Sequence, residues 1–464
     1  MEKMVRIQKI QEVIDREASN PPFGVQEIPW EDALVSMQVY KIPLAYLIYN
    51  KYNGRILSRT KALEKQNHTI NPETPDGKKL IEELLYDSKE ERNKKTETDL
   101  KIFGQKKVGI ITRDGVIVDG NRRAMLLNRI GDDDYFKAVI LPVTSDENPL
   151  EIEKLETSFQ MGEDEKLDYN PIEKYLKAKE LYLRLTISLS EEQAVDKISR
   201  WMGETPTQIK ENLAIMKVMD DYLEQLDYNS MYPQLDGRED QFIRLTKWLD
   251  GFAGETSAKA FDGYQNDDVD DLKIIAYDYI RVKSEGKEFR SIADGLKQNH
   301  FFGDKDIWGS FCSTHFQITQ GIIEAEIDYN SSNLKSHLDE RDNKFKSTVG
   351  ERLQINLDDH KQKLRNTQEV DKPEKLIKRS LESFDTAMVK SKAFAQENVQ
   401  NMVKELAEKS INALQRNSQK SILAIVVDLL NSIDLENFQE IDADEVKRLT
   451  KEIQHLAYEI NKNS

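Results

Sequence analysis

The stretch "GVIVDGNRRAMLLNRI" at residues 115–130 reads as a strand, a glycine turn and the start of a helix. Val116, Ile117 and Val118 are β-branched and suit a strand. Asp119 and Gly120 break that run, and Ala124, Met125, Leu126, Leu127 and Ile130 then follow at helical spacing. Two cations, Arg122 and Arg123, fall in the first helical turn. Helix starts expose unsatisfied N–H groups with partial positive charge, so they favour anionic side chains. The same junction is a ready anion pocket, because the N–H groups point outward and glycine permits close approach. A bound phosphate would remove the conflict, and the guanidinium groups would add bidentate contacts. In the competing reading both arginines pair with nearby acids, Asp119 or the run at 132–134, or lie in solvent.

Outward from this junction, "VGIIT" (108–112), the hairpin signal Asp114-Gly115, the helix and "YFKAVILPV" (135–143) predict a small α/β unit. "MQVYKIPLAYLIYN" (37–50) adds a strand and its following segment. Residues 1–35 read as a helical arm broken at "NPPFG" (20–24), and residues 60–98 as a polar connection around "NPETPDG" (71–77). From Asn170 the chain reads as helix, with Asn170 as N-cap, Pro171 at the first position and Glu173 at the third. Glycine-bearing breaks at 250–256 and 297–306 divide a middle helical region. Leu381, Phe384, Met388, Ala395, Val399, Met402 and Leu406 have heptad spacing, which fits either a coiled coil or a helix in a bundle.

Composition bounds the function. At 464 residues and 53.8 kDa the chain has room for roughly two to four domains. Apolar runs such as "SILAIVVDLL" (421–430) are too short for a bilayer, so no membrane partner is expected. The N-terminus lacks a signal-peptide core, and the lone Cys312 excludes an internal disulfide; both point to the cytoplasm. The net charge of −17 argues against a basic nucleic-acid coat, although a local patch can still hold phosphate. Six unclustered histidines offer no zinc signature. "NHFFGDKDIWGSFCSTHF" (299–316) is either a helix-packing core or a base-stacking surface. The acidic "NDDVDD" (266–271) reads as a solvated loop.

Four stretches in one order resemble the amino-terminal domain of ParB-type chromosome-partition proteins, a branch of the ParB/sulfiredoxin superfamily. They are "IPLAYLIYNKYNGR" (42–55), "FGQKKVGIITRDG" (103–115), "VDGNRRAMLL" (118–127) and "TSFQMGEDEKLDYNPIEKYLKAKELY" (157–182). The resemblance covers about residues 37–220 and implies a pocket for CTP, or in a related branch ATP, with a divalent metal. Carried across by position, Gly120, Arg122 and Arg123 would hold phosphates, with Asp119 and Asn121 in the same box. Gly104 and Gln105 would line the pocket, and Lys106 and Lys107 are further phosphate candidates on charge alone. Gln160 and Glu156 would serve catalysis, with Glu156 as the Mg²⁺ ligand if the register slips by one. The family's metal-binding Glu-Asn pair falls here on Thr157 and Ser158, which are poor Mg²⁺ ligands. Sulfiredoxin chemistry needs a Cys where this chain has Asn121 and Arg122.

"LSEEQAVDKISRWMGETPTQIKENLAIMKVM" (189–219) reads as a helix-turn-helix, with Ala194, Ile198 and Met202 inward and Gly203 at the turn. In the resembling family such a module reads DNA, which singles out Thr205, Thr207, Gln208 and Lys210. From Glu191 to Lys217 it carries four basic and five acidic residues, so packing or a protein partner competes with DNA. The expected fold is α+β: a helical arm (1–35), a ParB/sulfiredoxin-like nucleotide domain (36–165) and a helix-turn-helix domain (166–225). A helical middle (226–330) and a long-helix region (331–464) follow, the latter for self-association or a protein partner. The expected function is a nucleotide-dependent switch, with or without NTPase activity. The alternatives are a metal-dependent nuclease on the same scaffold and an interaction protein with a degenerate pocket.

Overall fold

The computed structural model describes the chain except residues 19–20, 67, 133, 163–169, 285, 323, 325, 328–332, 370–372, 391, 416–418, 434–442 and 464. It is α+β and divides into two compact units, Met1–Gln368 and Glu369–Ser464. The first opens with α1 (Lys3–Glu17), then β1 (Val25–Trp30) and β2 (Ala33–Pro43). The expected arm therefore ends at Glu17, and residues 25–35 belong to a β-hairpin. Its two-residue turn is Glu31-Asp32, both at positive φ (49° and 63°). Three helices occupy the span read as a polar connection: α2 (Leu57–Lys65), α3 (Pro75–Asp87) and α4 (Glu90–Phe103). Thr74 caps α3 by accepting from the Gly77 N–H, and Pro75 fills the first position.

The junction read from the sequence follows: β3 (Gly109–Ile111), β4 (Ile117–Asp119), α5 (Asn121–Ile130) and β5 (Tyr135–Ile140). The sheet order is β1-β2-β5-β3-β4, with β3 and β5 parallel and the other neighbours antiparallel. Alternation along the strands separates two cores. Ile42, Ile111, Ile117 and Phe136 meet Ala124, Met125 and Leu126 of α5 and Ile81 and Leu85 of α3. Val39, Ile110, Val118 and Val139 face the other way, onto Leu155 of α6 (Pro149–Thr157). α1 is docked on this unit. The buried Arg6 donates from Nε to the Asp114 carbonyl (2.6 Å) and pairs with Glu73 (2.6 Å), while Lys3 pairs with Asp114 (3.1 Å).

The rest of the unit is helical: α7 (Pro171–Leu185), α8 (Glu191–Met202), α9 (Pro206–Gln225), α10 (Glu239–Phe252), α11 (Asn266–Arg281), the short α12 (Gly286–Phe289), α13 (Lys305–Thr319) and α14 (Leu334–Glu369). Asn170 caps α7 as expected. Ser190 with Gln193, and Thr205 with Gln208, form capping boxes that start α8 and α9. Between them Gly203 adopts the left-handed conformation (φ 62°) and ends α8, so a short turn joins α8 to α9. "NDDVDD" is not a loop: it forms the first turns of α11, where carboxylates complement the helix dipole. Phe301, Phe302, Trp308 and Phe311 are buried against one another, so this aromatic run is a packing core. Leu334 to Leu364 of α14 pack into that same core, ahead of the unit boundary.

The second unit holds α15 (Pro373–Lys390), α16 (Glu397–Gln415), α17 (Gln419–Asn431) and α18 (Ala443–Asn463). The heptad series from Leu381 to Leu406 is split between α15 and α16, with a 3₁₀ turn at Lys392–Ala395 between them, so it is not one continuous coiled-coil helix.

Candidate functional site

The helix after the glycine turn begins as the sequence predicts, but its two arginines diverge. Gly120 holds φ 106°, and a Cβ there would lie 2.6 Å from Phe136 Cζ. Arg123 turns back toward the sheet, where its Nη2 pairs with Asp119 Oδ2 at 2.7 Å. That pair is the self-neutralising arrangement, and it accounts for Asp119 and Arg123 without a ligand. Gly104, Gln105, Lys106 and Lys107 lie toward this sheet side. Gln105 is buried and clamps β5: Nε2 donates to the Lys137 carbonyl (2.7 Å) and Oε1 accepts from the Lys137 N–H (2.7 Å). Gly104 ends α4 at φ 67°. Lys106 and Lys107 are exposed, with Lys106 Nζ 3.8 Å from the Phe103 ring centre.

Arg122 points elsewhere. With Arg55, Arg59, Ser88, Lys89, Asn170 and Glu173 it lines a narrow cleft of about 30 Å³. Four helix starts converge there: Arg55 precedes α2, Lys89 is the N-cap of α4, Arg122 is the second residue of α5, and Asn170 is the N-cap of α7. Four cationic side chains and four positive dipole ends thus share one small volume. Arg59 is partly neutralised by Asp236 at 2.6 Å. The carboxylate inside the cleft is Glu173, buried and accepting from the Ser58 N–H (2.9 Å) and the Ser58 hydroxyl. Burial pushes its pKa up to about 7, against the lowering effect of the Ser58 hydrogen bonds and Arg59.

Behind the cleft lies a buried polar centre. Asn121 Oδ1 accepts from the Asn50 N–H (2.9 Å), and Asn50 Nδ2 donates to Glu156 Oε1 (3.0 Å). The same oxygen accepts from Gln160 (3.1 Å) and Asn53 (3.4 Å). A π-helical turn at Ser158–Gly162 follows α6 and carries Gln160. Glu156 Oε2 faces Lys177 at 3.8 Å, and Lys177 also pairs with Glu153 at 3.0 Å. Burial raises the Glu156 pKa to about 6, with Lys177 opposing. Asn121, Glu156 and Gln160 are thus joined through Asn50 in one hydrogen-bonded group. Both Glu156 oxygens are engaged by protein donors, and Thr157 Oγ1 is buried with no hydrogen bond among the described residues. A divalent ion would have to displace Lys177 or the amides, so the residues do not fit a Mg²⁺ site. Among the described residues no group of three His, Cys, Asp or Glu side chains is placed to hold a metal.

The four residues singled out in the helix-turn-helix are exposed. Thr205 and Gln208 bond each other at the start of α9, which explains both locally. Thr207, Gln208 and Lys210 border a groove of about 700 Å³ shared with Lys174 and Tyr175 of α7 and Lys247 and Asp250 of α10. Sequence reasoning did not pick out Arg55, Arg59, Lys89, Glu173 or Lys177 as site residues. Arg55 closes the first quoted box and carried a signal; Lys89 and Lys177 carried none. Comparison with protein-family models gives no match to this chain, and comparison with curated proteins gives none. No helix among the described residues is long and apolar enough to cross a membrane.

Proposed function

We propose that this protein is a phosphate-binding, nucleotide-dependent switch of the ParB type, with CTP or ATP as ligand, acting on DNA or a DNA-associated partner. The observation that carries the reading is the convergence of Arg55, Arg59, Lys89 and Arg122 with four helix starts on one cleft. Such a site recognises phosphoryl oxygens by charge and by N–H direction together. Arg122, with Arg55 and Lys89, would hold the phosphates, and the order of the four sequence boxes supports a nucleotide over free phosphate. A cleft of about 30 Å³ is close to the share of one water molecule in the liquid. A triphosphate therefore enters only if the cleft widens, and binding is coupled to movement. α7 is the element that would carry that movement. Its start, with Asn170 and Glu173, borders the cleft, and its body packs on α8 and α9. No hydrolytic step follows from these residues, because the polar centre around Glu156 does not suit a metal.

Thermal shift of the full chain with CTP, ATP, GTP and inorganic tripolyphosphate, each with and without Mg²⁺, tests the reading. The expected result is a rise in Tm with at least one nucleotide that is lost in Arg122→Ala and kept in Arg123→Ala. No shift at millimolar ligand would leave an interaction scaffold with a degenerate pocket. Metal-dependent nicking of plasmid DNA that vanishes in Glu156→Ala would favour the nuclease instead.

A further inference from the structure

Ser310 of α13 meets two functional side chains of α14. His360 and Lys363 are three residues apart, so they share one face of that helix. The two helices are held in register here: Asn356 Nδ2 donates to the Phe311 carbonyl (3.2 Å), and Leu353, Leu357 and Leu364 pack in the same core as Phe311. His360 Nε2 lies 3.0 Å from Ser310 Oγ, and its Nδ1 lies 2.8 Å from the Asn356 carbonyl. A carbonyl can only accept, so Nδ1 carries the hydrogen and Nε2 presents its lone pair to the hydroxyl. Lys363 Nζ is 3.1 Å from the same hydroxyl oxygen and 3.0 Å from Nε2. With the hydroxyl proton directed at Nε2, the ammonium donates to Oγ. The imidazole is buried, with the rings of Phe301 and Phe311 centred 6.1 and 5.4 Å away, whereas Ser310 and Lys363 are exposed. Burial holds the His360 pKa below the ordinary 6.5, against the pull of the Asn356 carbonyl and Asp359 and with the help of the Lys363 charge, so the ring is mainly neutral at pH 7.

The geometry points to Ser310 as a nucleophile for acyl transfer from small activated carboxylic esters, with His360 as its general base. Nucleophile, base and orienting acceptor stand in the order of a hydrolase triad, with a backbone carbonyl in place of the carboxylate. Attack forms a bond from Oγ to the ester carbonyl carbon and moves the hydroxyl proton to Nε2. Collapse breaks the bond to the alkoxy or aryloxy leaving group, which departs with that proton and leaves acyl-Ser310 and a neutral imidazole. Water repeats the sequence, releasing a carboxylic acid and restoring the hydroxyl. Lys363 favours the first step, because an ammonium beside Oγ stabilises negative charge on the attacking oxygen. The open setting of Ser310 favours acyl donors that react through a good leaving group. None of these three residues lines the arginine cleft, so this chemistry does not depend on nucleotide binding there.

An alkyl fluorophosphonate is the probe: Oγ displaces fluoride at phosphorus, and the hydroxyl proton passes to His360. Peptide mass spectrometry of the treated full chain is expected to find the adduct on Ser310 and not on Ser347, an exposed α14 serine whose hydroxyl donates to the Lys344 carbonyl (2.9 Å). His360→Gln is expected to slow labelling about 100-fold, and Lys363→Met about tenfold, the effect of roughly one pKa unit at the hydroxyl. p-Nitrophenyl acetate is expected to release nitrophenolate faster with the wild type than with Ser310→Ala, which trims an exposed hydroxyl and keeps the fold. No adduct at Ser310, equal labelling of Ser310 and Ser347, or an unchanged rate in a His360→Gln chain that keeps the wild-type circular dichroism overturns the proposal. Should that variant unfold, the ratio of Ser310 to Ser347 labelling in the wild type and the Lys363→Met rate decide the matter.

Discussion

Glu173 is the residue on which the charge of the cleft turns. Its carboxyl is buried and holds its proton up to about pH 7, and Glu156 behind it holds one up to about pH 6. Both values lie above the ordinary 4.5, so the folded protein binds these protons more tightly than the unfolded chain. The resulting stabilisation is complete below about pH 4.5 and is lost as the pH rises through 6 and then 7. Glu173→Gln retains partners for Ser58 and removes the ionisation. At pH 8 the variant is expected to be more stable than wild type by about 3 kcal/mol, with the difference falling below about 1 kcal/mol near pH 5, in urea melts at both pH values. The cleft responds with the same sign. Protonation of Glu173 removes one negative charge from the cleft, so tripolyphosphate is expected to bind more tightly at pH 6 than at pH 8, and Glu173→Gln to flatten that dependence in calorimetric titrations.

Among the elements, α5 shows how far local chemistry reaches. The strand, glycine turn and helix of residues 116–130 were legible because each signal lies within a few residues of the next, and the helix starts at Ser190 and Thr205 were legible for the same reason. Gly120→Ala tests that junction. The residue sits at φ 106°, and an added methyl meets Phe136, so the variant is expected to lose roughly 2–3 kcal/mol in denaturant melts. Other elements gave weaker signals. The first hairpin turns through Glu31-Asp32, without the glycine or asparagine that marks most two-residue turns, and its edge strand contains Pro29. α4 buries little beyond Asn93 and Leu100, so it lacks an apolar stripe to read. The cleft was only partly legible for a different reason: its cations come from four separate segments, and tertiary packing alone gathers them.

At the scale of the molecule, a buried ionic cluster ties the helices of the larger unit together. Asp342 of α14 accepts from Arg281 Nε (2.8 Å) and Tyr228 OH (2.9 Å) and pairs with Arg238 (3.4 Å); Arg281 also pairs with Glu324 and lies 4.3 Å from the Phe345 ring centre. Removing the shared carboxylate takes the acidic partner from the buried Arg238 and leaves Arg281 with Glu324 alone. Asp342→Ala is therefore expected to cost roughly 3–5 kcal/mol in chemical denaturation, whereas charge changes on the exposed side of α14 cost little. With Leu353, Leu357 and Leu364 in the main core, this cluster binds α14 into the larger unit, which runs to Gln368, past the boundary near 331 that the long-helix pattern suggests. The docking of α1 carries a consequence for synthesis. Arg6 finds the Asp114 carbonyl 108 residues further along the chain. At about 5–20 residues per second, the first helix leaves the ribosome and waits roughly 5–20 s for the hairpin that receives it. During that interval Ile10, which lies against Gly115, lacks that cover, and a chaperone that grips nascent amphipathic helices would meet it before its own fold is complete.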